Sequence, residues 1–260
     1  MEERERYASV IFLNAVIPLL KVVIEEDEKL SAKGLKCTGV VQIGTLSENG
    51  KLATHLVFEN GEIKVVKGVH EQPTIELCFK RVEDFNGFFR GTSKKLPSIK
   101  GLRHFTLLTT VVSALLRMSK LLGSKEAPAV ARDKALLVRL YFYLLSSGIS
   151  QLNKAGHPII ASWVKKSPDR VYAWTVNQQE DMSAYIRIKA GNSKAARGLY
   201  KRSKPFFTMR FDSPDSALGI LMEKDDMFDS TAKGKLMMEG APEFGAQLGD
   251  YMAIVGSFLK

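Results

Sequence analysis

Only two cysteines, Cys37 and Cys78, occur in 260 residues, too few for a disulfide framework, and neither stands in a CxxC or Cys/His spacing that would hold zinc. They read as small buried hydrophobes. Histidine is scarce too. His55, His70, His104 and His157 lie far apart, no HExxH occurs, and no GxSxG, Walker loop or GxGxxG follows a strand-like run. The chain is therefore expected to be no enzyme and to hold no metal or cofactor, although sequence distance does not exclude a cluster in space. None of the seven asparagines begins an N-x-[ST] sequon and no stretch resembles a signal peptide, so a cytoplasmic location is the expectation. The most apolar window, Ala8 to Ile24, contains Asn14, Pro18 and Lys21 and falls short of the ~20 clean residues of a bilayer span. A buried or membrane-grazing helix is expected there.

What is present is ordinary globular material, 45% apolar and 25% charged, which excludes wholesale disorder and collagen-like repeats. At this length the chain is one large domain or two of usual size. A net charge of +10 permits an anionic partner without requiring one.

The most informative feature is internal repetition. Thr54 to Gly68 lies over Ala184 to Gly198 without a gap, pairing Gly61 with Gly191 and Gly68 with Gly198. After an insertion of two residues, Ile75 to Arg90 lies over Phe207 to Met222, pairing Phe79 with Phe211 and Gly87 with Gly219. After a longer insertion, Ile99 to Leu115 lies over Met238 to Ile254, pairing Gly101 with Gly240 and Phe105 with Phe244.

Each copy also carries the same order of elements. Ile75, Leu77 and Phe79 alternate with Glu76, Cys78 and Lys80, as Phe207, Met209 and Phe211 do with Thr208, Arg210 and Asp212, the period of a half-buried strand. Asn49-Gly50 and Asn60-Gly61 separate strand-like runs, which predicts an antiparallel meander. Tyr7 to Glu28 reads as a helix kinked or divided at Pro18. Val82 to Arg90 and Pro214 to Met222 read as short helices, the second capped by Ser213. Leu102 to Leu122, with Phe105, Leu108, Val112, Leu115 and Leu116 apolar, and Pro242 to Leu259 read as closing helices. Gly123 to Arg132 has the composition of a linker, which gives domains at 1–122 and 133–260.

The succession THLVFENGEIKVVKG, PTIELCFKRVEDFNGFF and, in the second copy, FFTMRFDSPDSALGILMEKDD followed by AKGKLMMEGAPEFGAQLGDYM resembles a sterol carrier protein type 2 domain. The likeness covers roughly residues 35–122 and 168–260. The first copy departs from the pattern by shortening the stretch between Gly91 and Gly101 and placing Pro97 in it, which suits an edge position for the strand that follows. The resemblance implies an α+β fold in two copies, each a largely antiparallel five-stranded sheet with helices packed on one face. It also implies an apolar tunnel between sheet and helices that binds a lipid or sterol-like molecule noncovalently and could serve lipid transfer.

Such a tunnel would be walled by Phe79, Phe85, Phe88, Phe89, Leu108 and Val112 in the first copy. In the second it would be walled by Phe211, Leu218, Leu221, Met222, Met238, Phe244 and Met252, whose flexible thioethers suit varied ligands. A charge at Phe211 or Met238 should then abolish uptake without preventing folding. The alternative is a filled core, which makes the chain a structural or dimerising module, with a homodimer as the partner. Between Met182 and Phe211 there are eight basic residues and no acidic one. Arg187, Lys189, Lys194, Arg197, Lys201 and Arg202 are candidates for contact with an anionic membrane surface. They also suit a solvated face or a contact with the acidic segments at Glu2, Glu3 and Glu5 and at Glu25 to Glu28. Nucleic acid is disfavoured as a partner of 187–210 because the only available stackers are Tyr185, Tyr200, Phe206, Phe207 and Phe211, some of which are claimed by the core.

Overall fold

The computed structural model describes residues 2–260. The chain divides into two compact units, Met1–Lys120 with Phe258–Lys260, and Leu121–Ser257. Unit 1 opens with helix α1 (Glu3–Ile11), a wide π turn (Phe12–Val16), α2 (Leu19–Glu26) and α3 (Glu28–Gly34). Pro18 has no N–H to give, and the turn before it widens so that Ile17 N–H reaches the Phe12 carbonyl at 2.9 Å. The helical run thereby continues to Glu26 as one stretch. This corrects the expectation that the segment is too short for a membrane. Glu3–Glu26, Phe105–Leu122 and Ala131–Lys154 are all long and apolar enough to cross one. In the first and third, 78% of the apolar window is buried inside the protein, against 39% in Phe105–Leu122.

The meander follows as β1 (Gly39–Ser47), β2 (Gly50–Glu59) and β3 (Glu62–Lys67), then β4 (Ile75–Phe79), α4 (Val82–Arg90), β5 (Ser98–Lys100) and α5 (Phe105–Leu122). Unit 2 has α6 (Ala131–Lys154), α7 (Pro158–Lys166), β6 (Arg170–Val176), β7 (Gln179–Lys189), β8 (Asn192–Arg197), β9 (Phe207–Phe211), α8 (Pro214–Leu221), α9 (Met227–Ala232), β10 (Leu236–Glu239) and α10 (Pro242–Leu259). Ser213 caps α8 by accepting the Ser216 N–H, and Pro214 fills the first position, where a missing donor does no harm.

The strand orders are β3-β2-β1-β4-β5 and β8-β7-β6-β9-β10, one topology occurring twice. Neighbours are antiparallel except at the centre, where β1 and β4, and β6 and β9, run parallel. The repeat read from the letters is kept in the registers. Thr54 opposes Lys67 as Ala184 opposes Arg197, and Val41 opposes Ile75 as Tyr172 opposes Phe207.

Glycine is required at the last of these matches. Gly101 has φ +84°, and a Cβ there would sit 2.0 Å from the Thr74 carbonyl. Gly240 has φ +129° and would meet Phe207 at 2.8 Å and the Phe206 carbonyl at 3.2 Å. Both let the edge strand turn against the strand beside it. Pro97 immediately precedes β5, and β5 is an edge, which tolerates a missing donor.

Helix α5 differs from expectation in phase. Leu107, Leu108, Val111, Ala114, Met118 and Leu121 are buried, whereas Phe105, Val112 and Leu116 are exposed. The segment is apolar nearly all round, so its sequence does not select which stripe turns inward.

Candidate ligand-binding faces

Residues opposite one another in paired strands share a sheet face, so the registers assign each side chain to the helix-covered side or to the open side. On the helix-covered side of unit 1, Phe79 and Phe85 are fully buried, with ring centroids 5.6 Å apart. Phe88 and Phe89 are half-buried, packed on Phe79 at 5.2 Å and on Phe85 at 5.0 Å. Phe12 of the π turn stacks on Phe89 at 5.3 Å, a member of this cluster that the sequence pattern does not reveal. Leu108 is buried, but Val112 faces outward, so its assignment to the wall is corrected.

Helix α4 is fixed to α1 by polar contacts. Asn86 Nδ2 donates to Glu5 Oε2 at 2.7 Å, and Arg90 donates to Glu5 Oε1 at 2.8 Å. Burial alone would raise the Glu5 carboxyl, but the hydrogen bonds from Asn86 and Arg90 outweigh it and hold the group below the ordinary range.

On the corresponding side of unit 2, Phe211 is buried and stacked on Phe142 at 5.9 Å, and Leu218 is buried beside it in α8. Leu221 and Met222 are half-buried at the end of that helix. Met252 Sδ accepts from Trp174 Nε1 at 3.4 Å, and Met238 Sδ lies where a Cβ on Gly245 would approach to 2.5 Å. Phe244 packs on Phe206 at 4.7 Å, and the Arg170 guanidinium sits 3.8 Å from the Phe206 ring. These methionines make close packing contacts with Trp174 and α10. Tyr251, against Trp163 at 4.5 Å, has its phenol pushed up to about 12 by burial, with smaller contributions from Tyr172 and Asp250.

The basic stretch is divided by its partners. Arg187 forks onto Asp169 at 2.6 and 3.0 Å, and Lys189 reaches the same carboxylate at 3.8 Å. Lys201 pairs with Glu180 at 3.1 Å, and Arg197 lies 4.9 Å from the Tyr143 ring. Lys194 and Arg202 are exposed.

On the open side, sequence reasoning missed a polar network in unit 1. Glu76 is buried, accepts from Gln42 Nε2 at 2.9 Å, and pairs with Lys51 and, at 3.3 Å, with Lys100. His55 and His70 meet edge to face at 5.2 Å in the same region. Desolvation would raise Glu76, but the hydrogen bonds from Lys51, Lys100 and Gln42 prevail and lower it. Its neighbour Cys78 is pushed up, by burial first and then by the Glu76 charge. In unit 2 the open side instead holds a cleft of about 700 Å³.

No protein-family model matches the chain, and no curated protein matches it. Among solved structures it is similar to a conserved hypothetical protein from Thermus thermophilus, suggested to be a sterol carrier protein. That match has 13% identity and a TM-score of 0.30, covering 52% of this chain and 92% of the other. It is also similar to a stereoselective inverting sec-alkylsulfatase from Pseudomonas sp., at 14% identity and a TM-score of 0.29, covering 59% of this chain and 23% of the other.

Proposed function

We propose that the protein binds a hydrophobic molecule noncovalently, an acyl chain or sterol-like compound, on the helix-covered side of a sheet, with the β5 edge of unit 1 as the way in. The observation that carries this reading is a run of exposed apolar residues around that edge: Leu96 at 77%, Ile99 at 40% and Leu102 at 62%. Ile99 opposes Leu77, so it continues outward the face on which Leu77 is buried. In unit 2 the matching residue, Met238, packs against α10. Hydrocarbon leaving water for such a surface gains ~0.8 kcal/mol per methylene, so about ten methylenes outweigh a moderate association cost. The resemblance of both copies to the sterol carrier family supports the same reading.

The test is uptake of a fluorescent acyl chain, together with native mass spectrometry of freshly purified protein. Ile99→Asp and Leu102→Asp alter exposed positions, so folding should persist while uptake falls about tenfold, the equivalent of burying two fewer methylenes. Lipid-free protein that takes up no acyl chain, or variants that bind as well as the parent, would defeat the proposal.

A second reading rests on α5, where Phe105, Val112 and Leu116 form one exposed stripe. Such a stripe suits a second copy of the chain. A sedimentation coefficient that falls on Leu116→Lys supports it, and a monomer at all concentrations excludes it.

A further inference from the structure

Each sheet has an open side, crossed by the loop that returns the chain from the outer strand to the parallel central pair, residues 68–74 in unit 1 and 198–206 in unit 2. Unit 1 closes its open side with its own side chains. Gln42 donates to Glu76, and its Oε1 accepts the His70 N–H at 2.6 Å, which ties the crossing loop to the sheet. In unit 2 the registers place Ala173 where unit 1 has Gln42, and Thr208 where it has Glu76. Neither can reach the loop as Gln42 does, and the loop is two residues longer. The result is the cleft of about 700 Å³, within the ordinary size of a small-molecule site.

The floor of this cleft and the strand beside it carry unused polar groups. Thr175 Oγ1, Ser183 Oγ and Arg210 Nε are buried without a hydrogen-bond partner. They belong to one row across three strands, since Ser183 opposes Thr175 and Thr175 opposes Arg210. Thr175 is 9% exposed, Ser183 is fully buried, and Thr175 and Arg210 line the cleft. The same row in unit 1 is Ala53, Gly44 and Cys78, which asks little of a partner. A buried hydroxyl left unsatisfied costs about 1–3 kcal/mol, so a row of them in one unit and not in its twin marks a place where something else supplies the bonds.

The charges say what that is. Lys201, Lys204 and Arg210 line the cleft with Glu180 and Glu239. Lys201 pairs with Glu180 at 3.1 Å and Arg210 with Glu239 at 2.7 Å, while Lys204 has no ion-pair partner among the described residues. The walls add Tyr200, Leu199 and Pro205.

We propose that this cleft binds a phosphate monoester: Lys204 and the free edge of Arg210 meet the dianion, the Thr175 hydroxyl donates to it, and Tyr200 and Pro205 flank the organic part. Paired cations and hydroxyl donors suit a phosphate, whose three oxygens accept several charge-assisted bonds at once. The site is on the opposite side of the sheet from the apolar interior and in the other unit from the β5 edge, so it stands or falls apart from lipid binding. The ester has two sources, a soluble metabolite or a phosphatidate headgroup.

The experiment titrates the full chain with glycerol 3-phosphate by calorimetry and, separately, with vesicles of phosphatidylcholine carrying or lacking phosphatidic acid. Lys204→Gln is exposed and Thr175→Val preserves shape, so both fold, and Lys165→Gln on α7 is the control for general charge. Binding of the soluble ester, weakened about tenfold by Lys204→Gln and by Thr175→Val but not by Lys165→Gln, is expected and assigns a soluble ligand. Phosphatidate-dependent vesicle binding with the same variant pattern and no response to the soluble ester assigns a headgroup, which equally supports the site. No binding of either probe, or binding that falls as much with Lys165→Gln, or that ignores Thr175→Val and Lys204→Gln, overturns it.

Discussion

The side-chain carbonyl of Gln42 accepts the backbone N–H of His70 at 2.6 Å, and the residue in the same register position of unit 2 is Ala173. Gln42 thus supplies a tie from sheet to crossing loop that unit 2 lacks, where Tyr200 of the loop packs instead on Tyr185 of β7 at 5.1 Å. Gln42→Ala should free the loop at residues 69–74, abolish the exchange protection of the His70 amide and lower stability by about 1–2 kcal/mol. Unchanged protection at His70 would show that the loop is held by other contacts.

Glu76 makes unit 1 sensitive to acid. Its folded value lies below the ordinary 4.5 because Lys51, Lys100 and Gln42 together outweigh desolvation, so the unfolded chain takes up the proton more readily. The resulting stabilisation is complete above about pH 5 and is lost as pH falls through the lowered folded value. In Glu76→Gln, urea melts should show about 1–3 kcal/mol less stability at neutral pH, and a shallower decline between about pH 5 and pH 3. A variant with the parent's acid profile would contradict this role.

Gly101 and Gly50 separate steric collision from backbone conformation. Both have positive φ, +84° and +111°, but a Cβ on Gly50 meets nothing within 4 Å while one on Gly101 runs into Thr74. Gly50→Ala should cost about 1–2 kcal/mol, and Gly101→Ala a further 1–3 kcal/mol or so because backbone has to move. Denaturant midpoints of the two variants measure the difference, and equal midpoints would refute it.

Phe211 and Val112 separate core from surface among the expected wall residues. Phe211→Ala should cost about 3–5 kcal/mol, since Phe211 is fully buried against Phe142. A charge at Phe211 is therefore expected to unfold unit 2 before it reports on uptake. Val112→Ala on the outer side of α5 should stay within about 0.5 kcal/mol. Thermal unfolding of both variants checks the ordering.

The repeat was legible because turns and strand alternation are local. Asn60-Gly61 and Ala190-Gly191 turn at matching points, both pairs with positive φ, and Phe79 and Phe211 end strands whose letters alternate with period two, although β4 is buried on both faces rather than half-buried, because Glu76 and Cys78 lie under the polar network of the open side. Helices α4 and α10 run over the residues that the letters suggested, and Gly87 and Gly219 recur for a shared reason. The Gly87 carbonyl takes the N–H groups of Thr92 and Ser93, the Gly219 carbonyl takes those of Lys224 and Asp225, and the chain folds back over each glycine with no room for a Cβ.

Other features were out of reach of any local pattern. The inward stripe of α5 depends on which neighbours it meets, because Phe105, Leu108, Val112 and Leu116 are equally apolar as letters. The open sides depend on register: Gln42 meets Glu76 across 34 residues, and Thr175 meets Arg210 across 35, in parallel pairs that no turn connects. Residue order alone was enough to establish a duplicated α+β chain, since hairpins and helix ends are written within a few neighbouring residues. Folding decided that one copy seals its open face and the other keeps a cleft lined with unsatisfied donors, because that outcome rests on the side chains that distant strands bring level with one another.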